Sequence, residues 1–280
     1  MKKLSGGLIN TIYLDDGRIK KIYSDNSLIK GLGFNSRQRM HNELVALRIF
    51  SKELPCFVPK IIEENKDKKE VVIENIEGNP IEQLLIETKV DLTYKNLDLR
   101  IANILKTIHG KVIADNTEVI KKYNSNFSEF FNNSKAILEY ENVDTDKLLK
   151  IISSYVKLDS FTKADAVFVH GDFWLDNMLF SKDDHIYVID WEFSGMGFSY
   201  EDLGIFFTNV DMFFQDGSSH RFYQNYNLNL DFRLIKLFCF YRCMRLLSFI
   251  DLDIYKSSPE NYNHSFKSLV KIVKKLLSEL

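Results

Sequence analysis

The stretch VFVHGDFWLDNMLF, residues 167–180, places Asp172 and Asn177 between two apolar runs, VFV and MLF. A third run, IYVI, ends at Asp190, after the turn-prone segment SKDDH. Short runs rich in Val, Ile and Phe that are bounded by turn residues predict β-strands. We therefore expect Asp172 and Asn177 in the loop between two strands, and Asp190 at the end of a third.

This set of side chains has the chemistry that phosphoryl transfer from a nucleotide requires. One carboxylate orients the attacking hydroxyl and accepts its proton, while an amide oxygen and a second carboxylate hold Mg²⁺ against the phosphates. The alternative is that Asp172 and Asn177 are only turn residues of a hairpin, because both residue types favour turns. The second aspartate after a strand, together with N-terminal features described below, favours the chemical interpretation.

The combined pattern also resembles a known family. HGDFWLDN followed by IDWE is similar to the His-(Gly/Asn)-Asp-x-x-x-x-Asn and Ile-Asp-(Trp/Phe)-Glu motifs of the aminoglycoside phosphotransferase and choline kinase superfamily. The resemblance implies an α+β, bilobal, protein-kinase-like fold with a small β-rich N-lobe and a larger helical C-lobe. It also implies that Asp172 is the catalytic base and that Asn177 and Asp190 are metal ligands. His170 is expected to hold the loop by hydrogen bonds.

Composition excludes several other classes of protein. The chain has 280 residues, 45% of them apolar and 27% charged, with a formal net charge of −2, so we expect an ordinary soluble globular protein. This balance predicts no general affinity for nucleic acid or an acidic membrane. No stretch approaches 18 apolar residues, which predicts no transmembrane helix, and no signal peptide is expected at the N-terminus.

The cysteines predict the compartment. There are three, Cys56, Cys239 and Cys243, and such a low, odd number without a signal peptide indicates reduced thiols in the cytoplasm. Cys239 and Cys243 lie one helical turn apart and would form half of a metal site. No neighbouring Cys or His pair in the sequence completes such a site, so buried thiols are the favoured interpretation.

Periodicity predicts the order of elements in the two lobes. Residues 1–75 are expected to run β-β-α-β-β, with a hairpin at Asp15-Asp16-Gly17. The helix has apolar residues at helical spacing, at Met40, Leu44, Leu47 and Phe50, and Pro55 is expected to end it. The pattern becomes helical near residue 78, so we expect an N-lobe at 1–77 and a C-lobe at 78–280. In the C-lobe, one helix carries an apolar stripe at Ile101, Leu105, Ile108 and Val112.

The N-lobe offers a candidate phosphate-binding loop. Gly6 and Gly7 lie between β-prone residues, where backbone N–H groups can approach a phosphate because glycine has no Cβ. The segment also resembles the Gly-Gly-x-x-Asn loop of choline kinases, with Asn10 as the matching asparagine. The alternative is an ordinary Gly-Gly turn.

A lysine and a glutamate complete the candidate nucleotide site. The family pattern selects Lys21 over Lys20, and strand alternation places Lys21 on the same face as Ile19 and Tyr23. Its expected partner is Glu43 on the following helix. The alternatives are a solvated hairpin lysine and a surface glutamate.

The segment VVIENIEGNPI, residues 71–81, resembles the connection between the lobes in the same superfamily. The resemblance implies that backbone groups from Glu74 to Ile76 contact the adenine ring. It also implies that Leu179 and Ile189 form the floor of that pocket. ATP or GTP is therefore the expected phosphate donor.

The acceptor is less clearly indicated. IDWEFSGMGFSYEDLG is similar to choline and thiamine kinases, whereas HGDFW is more similar to the aminoglycoside and sugar-kinase branches. A quaternary ammonium group favours aromatic faces. The aromatic candidates are Trp174, Trp191, Phe193, Tyr200 and Tyr241. An aminoglycoside favours carboxylates. The acidic candidates are Glu192, Glu201, Asp211 and Asp216.

These observations predict a cytoplasmic, Mg²⁺- and ATP- or GTP-dependent kinase that phosphorylates a hydroxyl of a small molecule, aminoglycoside- or choline-like. Its expected partners are a nucleoside triphosphate and that acceptor, with no nucleic acid and no membrane.

Two alternatives are a nucleotide-binding pseudokinase without turnover and a helical scaffold without a ligand. The intact Lys, Asp, Asn and Asp set argues against the pseudokinase. His109 and Asp202 are expected to be structural. The acceptor, the nucleotide base and the oligomeric state stay open at this point.

Overall fold

The computed structural model describes residues 2–4, 10–25, 34–53, 57–113, 116–213, 219–226, 229–250, 252–257 and 264–279. The predictions for Gly6, Gly7, Pro55, Cys56 and Asp216 lie outside these residues, and so does the side chain of Asp211. The strands are β1 Lys2–Lys3, β2 Asn10–Asp15, β3 Arg18–Tyr23, β4 Ile61–Asn65, β5 Glu70–Glu74, β6 Gly78–Pro80, β7 Val112–Ile113, β8 Ala166–Val169, β9 Met178–Ser181, β10 Ile186–Val188 and β11 Gly195–Phe198. The helices are α1 Ser36–Glu53, α2 Ile81–Thr88, α3 Leu97–His109, α4 Thr117–Tyr140, α5 Thr145–Tyr155, α6 Asp159–Thr162, α7 Ser199–Phe213, α8 Ser219–Tyr226, α9 Phe232–Leu247, α10 Leu252–Ser257 and α11 His264–Ser278.

The chain divides into two compact units, and each is built from two segments. The first unit comprises Met1–Val90 and His170–Gly195, and the second comprises Asp91–Val169 and Met196–Leu280. The stretch that carries Asp172 and Asp190 therefore belongs to the same unit as the N-terminal sheet. A lobe boundary at residue 78 is a different division of the chain and stays a prediction.

The first unit contains an antiparallel five-stranded sheet in the order β1-β2-β3-β5-β4. Strands β2 and β3 form the predicted hairpin, in which Asp15 pairs with Arg18. The two residues between them, Asp16 and Gly17, both have positive φ, 49° and 72°. Two-residue loops with positive φ at both positions match the right-handed twist of their strands, which is why Asp-Gly is favoured there. The predicted β-β-α-β-β order is confirmed by β2, β3, α1, β4 and β5.

Helix α1 supplies the core beneath this sheet. The predicted apolar stripe is buried along its whole length, at Met40, Leu44, Leu47 and Phe50. Phe50 stacks on Trp191, with ring centroids 5.0 Å apart, and the indole N–H of Trp191 donates to the Val188 carbonyl at 2.9 Å. Trp191 is completely buried, so the structure corrects its assignment as a candidate substrate contact. It packs in the core of the first unit.

The second unit is mainly helical, with the small sheet β11-β8-β7. Ile101, Leu105 and Ile108 are buried along α3, as predicted, but Val112 belongs to β7 because the helix ends at His109. An aromatic cluster fills the space between α4 and α9. Its buried members are Tyr123, Phe127, Phe130, Phe238 and Tyr241. Tyr241 is thus another core residue, which corrects the expectation that it could face a substrate.

Other predicted structural residues of the second unit are confirmed. His109 Nε2 lies 3.0 Å from Asp202 Oδ2, and its Nδ1 lies 2.6 Å from the Tyr226 hydroxyl. Cys239 and Cys243 are buried, and neither forms a disulfide within the described part of the chain. Among the described helices, none combines the length and apolar character that crossing a membrane requires.

Candidate functional site

The β9–β10 hairpin belongs to a three-stranded sheet of the first unit, in the order β10-β9-β6, and brings Asn177 and Asp190 to the same end of it. Met178 pairs with Val188, and the next backbone bond runs from Ile189 N–H to the Asn177 carbonyl at 2.9 Å. Asp190 then adopts a left-handed conformation, with φ 64°, and leads into a short 3₁₀ turn. Aspartate tolerates this conformation better than most residues. Two side chains that are distant in the sequence are thereby positioned by one antiparallel ladder.

Asn177 orients the carboxylate of Asp172. Its Nδ2 donates to the Asp172 carbonyl at 2.9 Å and to the Asp172 carboxylate Oδ2 at 3.0 Å. Because both amide hydrogens are used in this way, Oδ1 of Asn177 is left as an acceptor. The pair therefore presents an oriented carboxylate and an amide oxygen together.

His170 holds the loop that carries Asp172 by hydrogen bonds, which confirms the role predicted for it. The backbone N–H of Asp172 donates to Nδ1 of His170 at 3.2 Å, so Nε2 carries the ring proton. That Nε2–H donates to the Ile189 carbonyl at 3.1 Å. The ring is fully buried and links the segment before Asp172 to the strand before Asp190.

Gly171 is required at its position for two reasons. Its φ is +77°, a conformation that side chains with a Cβ rarely adopt. A Cβ there would also lie 2.3 Å from the Phe193 carbonyl oxygen. The loop that carries Asp172 thus passes directly over the 3₁₀ turn Trp191–Phe193.

Lys21 lies between two carboxylates. Its Nζ is 2.7 Å from Oε2 of Glu43 and 2.5 Å from Oδ1 of Asp190, and the Tyr23 hydroxyl also bonds to Glu43. Burial opposes the charge of Lys21, but the carboxylates of Asp190 and Glu43 outweigh it and hold the Lys21 pKa well above its ordinary value. Lys20 points elsewhere and pairs with Glu70 at 2.8 Å. The two neighbouring lysines therefore have different partners, and Lys21, which the family pattern selected, is the one that lies between Glu43 and Asp190.

A second buried network lies next to this one. Asn10 Nδ2 donates to Oε2 of Glu192 at 2.6 Å, and Arg39 Nη1 donates to the same oxygen at 2.8 Å and to Asn10 Oδ1 at 2.8 Å. Arg39 also donates to the Ser24 carbonyl at 2.6 Å. Burial raises the pKa of Glu192 to about 7, against the opposing field of Lys21. The side-chain amide of Asn10 is thus occupied within the protein at both ends.

Several candidate residues line one cavity of about 640 Å³ in the first unit, a volume within the range of small-molecule sites. Lys21, Glu43, Asn177 and Asp190 form its polar part. Glu74, Asn75 and Ile76 line another part, with Leu179 and Ile189. Pro80, Gln83 and Asp176 also contribute. Asp172 and Asn10 are not among the described residues that line it.

The structure also removes candidates for the acceptor site. Glu192 is held by Arg39 and Asn10, and it is 2% exposed. Glu201 is 4% exposed and accepts from the Tyr123 hydroxyl at 2.5 Å. Both carboxylates therefore serve the protein's interior, in contrast to the expectation that they could bind an ammonium substrate. Phe193 is buried too, whereas Trp174 and Tyr200 keep part of their surface exposed.

The donor set suits a hard divalent cation such as Mg²⁺. In the described residues, no group of three or more His, Cys, Asp or Glu side chains is arranged to hold a metal. Magnesium in nucleotide-dependent enzymes commonly takes one or two protein oxygens and completes its shell with phosphates and water. The carboxylate of Asp190, which is 36% exposed, and Oδ1 of Asn177 are two such oxygens.

Comparison with known proteins identifies the family of this chain. A family model described as the phosphotransferase enzyme family, APH, matches residues 1–233. The chain belongs to this phosphotransferase family. A protein named LicA homolog from Mycoplasma capricolum subsp. capricolum is 30% identical to the phosphotransferase over 195 residues, which cover 67% of this chain and 68% of that protein.

Solved structures show the same fold. The choline kinase LicA from Streptococcus pneumoniae matches with a TM-score of 0.63 and 18% identity, covering 100% of this phosphotransferase and 95% of that chain. The structure of a gentamicin–APH(2")-IIa complex matches with a TM-score of 0.59 and 18% identity, covering 99% and 90%. The predicted α+β, protein-kinase-like fold and the family resemblance are confirmed, and the phosphotransferase is a small-molecule kinase.

Proposed function

We propose that this kinase transfers the γ-phosphoryl group of ATP or GTP to the hydroxyl of a small, choline-like ammonium alcohol. An aminoglycoside-like alcohol is the second candidate. The observation that carries the proposal is the position of Lys21. It lies between Glu43 and Asp190 and lines a cavity that also includes Asn177. A fixed cation beside oxygen donors for a metal is the arrangement that a polyphosphate requires.

The polar part of the cavity would bind the phosphates. Lys21 stays cationic because its pKa is raised by Asp190 and Glu43 against the effect of burial, so it can attract phosphate oxygens at any physiological pH. Asn177 Oδ1 and the Asp190 carboxylate would hold Mg²⁺. When bound, that ion would neutralise charge that develops on the phosphate oxygens.

The segment after β5 would bind the base. The N–H of Glu74 already donates to the Lys60 carbonyl at 2.9 Å, so the free donor for a base has to come from Asn75 or Ile76. Leu179 and Ile189 would pack against the ring face, since both are apolar and line the same cavity. The pocket therefore suits a purine, and both adenine and guanine stay candidates.

Asp172 would accept the proton of the acceptor hydroxyl. Its carboxylate is oriented by Asn177, and its backbone N–H is held by His170, so its orientation does not depend on a substrate. A general base fixed in this way lowers the entropy lost when the hydroxyl approaches the phosphate. The role of Gly6 and Gly7 as a phosphate-covering loop is part of the same proposal. Asn10, by contrast, is bonded to Glu192 and Arg39 and would act by fixing the start of β2.

The relatives favour a choline-like acceptor. The sequence relative at 30% identity shares the name LicA with a structural relative described as a choline kinase. The gentamicin complex is similar at 18% identity, which shows fold alone. Trp174 and Tyr200 are the predicted aromatic candidates that keep partial exposure, and an aromatic face is what a quaternary ammonium prefers. The cytoplasmic location and the absence of nucleic-acid or membrane partners stay predictions from composition.

The test is a Mg²⁺-dependent assay of nucleoside diphosphate release with ATP and with GTP. Choline, ethanolamine, thiamine, gentamicin and simple sugars are supplied in turn, and the phosphorylated product is identified by mass spectrometry. We expect choline or a close analogue to give transfer, and Asp172→Asn to abolish it while nucleotide still binds. Phosphorylation of gentamicin but not of choline would select the second candidate. Nucleotide binding without transfer to any acceptor would contradict the proposal and favour a pseudokinase.

A further inference from the structure

Tyr23, the last residue of β3, has no part in the functions assigned above. It follows Lys21 by two positions, so both side chains lie on one face of the strand. Tyr23 is 1% exposed, and its hydroxyl donates to Oε2 of Glu43. The same oxygen accepts from Lys21 Nζ at 2.7 Å. One carboxylate oxygen therefore receives a charged donor and a neutral donor from neighbouring positions of one strand.

The neutral donor is a phenol that keeps its proton. Burial raises the pKa of Tyr23 well above its ordinary value, and the Glu43 carboxylate raises it further. Because an ionised carboxylate can only accept, the direction of this hydrogen bond is fixed. A hydrogen bond to a charged group is stronger than one between neutral groups. Glu43 is 2% exposed, so water does not readily replace the phenol as its donor.

The orientation of Glu43 matters because the other carboxylate beside Lys21 has a second task. Lys21 Nζ lies 2.5 Å from Oδ1 of Asp190, whose side chain is 36% exposed and would hold Mg²⁺. A divalent ion repels an ammonium group that shares its carboxylate, so this contact weakens when the metal binds. Glu43 is then the carboxylate that keeps Lys21 beside the phosphates. A glutamate side chain has several rotatable bonds, and Tyr23 supplies a donor that fixes its carboxylate without binding phosphate itself.

We propose that Tyr23 is a positioning residue of this kinase, whose hydroxyl fixes the Glu43 carboxylate and thereby holds the Lys21 ammonium in place for the phosphates. This inference rests on the proposed nucleotide-dependent function, in which Lys21 binds the phosphates. Tyr23 is not among the described residues that line the cavity, so it acts through Glu43 and does not touch the nucleotide. A tyrosine that served only the core would need its ring and not its hydroxyl, and a phenylalanine variant separates these two roles.

The test is a double-mutant cycle on the full chain, with Tyr23→Phe, Glu43→Gln and the combined variant. The measured quantity is kcat/KM for the nucleotide, with the acceptor that wild type phosphorylates, and thermal melts verify folding. Tyr23→Phe should lower kcat/KM about tenfold or more, because a hydrogen bond to a charged group is lost. In the Glu43→Gln background the same change should have an effect of less than about twofold, since the carboxylate on which Tyr23 acts is gone. Tyr13→Phe, on the neighbouring strand and away from the cavity, is the matched control and should keep wild-type kcat/KM.

Wild-type kcat/KM in Tyr23→Phe would overturn the inference. An equal loss in both Glu43 backgrounds would overturn it too, because Tyr23 would then act without Glu43. If Glu43→Gln turns over too slowly to measure, the dissociation constants of the Mg²⁺–nucleotide complex, determined by calorimetry for the same four proteins, give the same comparison. Failure of the proposed function is distinguishable from these outcomes, because wild type itself then binds no nucleotide or transfers no phosphoryl group, and the inference fails with it.

Discussion

Arg39 and Glu192 form an ion pair of 2.8 Å in which each side chain is only 3% exposed. Glu192 lies two residues after Asp190, and Arg39 lies on the helix that also carries Glu43. Asn10 completes the group from the start of β2. The start of β2, helix α1 and the turn after Asp190 are therefore joined by one buried ion pair and the side-chain amide of Asn10.

The first prediction concerns this ion pair. At a pH above the Glu192 pKa of about 7, Arg39→Met should lower the free energy of unfolding by about 3–5 kcal/mol, because it leaves the charged Glu192 carboxylate buried without its partner. Urea denaturation followed by circular dichroism measures the change. Arg37→Met, at an exposed position of the same helix, is the control and should change stability by less than about 0.5 kcal/mol. If both variants lose the same amount, helix propensity and not the ion pair is responsible.

The second prediction separates the two lysines of β3. Lys21→Met should lower kcat/KM for the nucleotide by about 100-fold or more, because a fixed charge on the phosphates is lost. Lys20 pairs with Glu70 and does not line the cavity, so Lys20→Met should change kcat/KM by less than about twofold. Initial rates at varied nucleotide concentration, with thermal melts to verify folding, provide the measurement. Comparable losses in the two variants would show that the Lys21 pair has no special role.

The third prediction concerns the glycine before Asp172. Gly171→Ala should cost about 1–3 kcal/mol of stability and most of the activity, because the added Cβ meets the Phe193 carbonyl and φ is positive. Gly110→Ala is the matched control, since Gly110 has an ordinary helical φ of −66° and its Cβ would meet nothing closer than 3.4 Å. Chemical denaturation and the kinase assay on both proteins test this. A fully active Gly171→Ala protein would show that the loop can move aside.

The fourth prediction concerns acid stability. Asp231 caps α9 by accepting from the Arg233 N–H at 3.0 Å, and the Arg233 side chain lowers the pKa of Asp231 to about 2. A lowered folded-state pKa gives stability that is present above the ordinary value of 3.8 and is lost as pH falls towards 2. Asp231→Asn should therefore be less stable than wild type at neutral pH, by about 1 kcal/mol or less because the pair is partly exposed. The difference should shrink as pH falls from about 4 to about 2, and denaturation curves across that range decide the matter.

The sequence predicted those parts of the site that local patterns determine. The family pattern selects Lys21 over Lys20, strand alternation agrees in part, and the turn chemistry of Asp16-Gly17 predicts the hairpin that carries them. The spacing of Asp172, Asn177 and Asp190 is likewise local, since one β-hairpin brings the last two together. Each of these features depends on residues within about one hairpin of each other.

The parts that were missed depend on distant neighbours. The sequence suggests Glu192 and Trp191 as substrate contacts because both lie beside the catalytic motif. A carboxylate or an indole at such a position can contact a ligand, but it can equally be buried in the protein interior. Their burial follows from α1 and the start of β2, and Asn10 and Glu192 are 182 residues apart in the sequence. Arg39 gave no signal at all, because one arginine in a helix normally points to solvent. Its buried partner, Glu192, is apparent only in the folded structure.

The close approach of Gly171 to the Phe193 carbonyl restricts which substitutions this part of the kinase can accept. Ile189 bonds to both Asn177 and His170, so the proposed general base Asp172 and the proposed metal ligand Asp190 lie on segments that hydrogen bonds join. A substitution that moves one of these segments is therefore expected to displace the carboxylate on the other as well. We therefore expect changes in acceptor preference to arise at side chains outside these two joined segments, and we expect the two segments to change together.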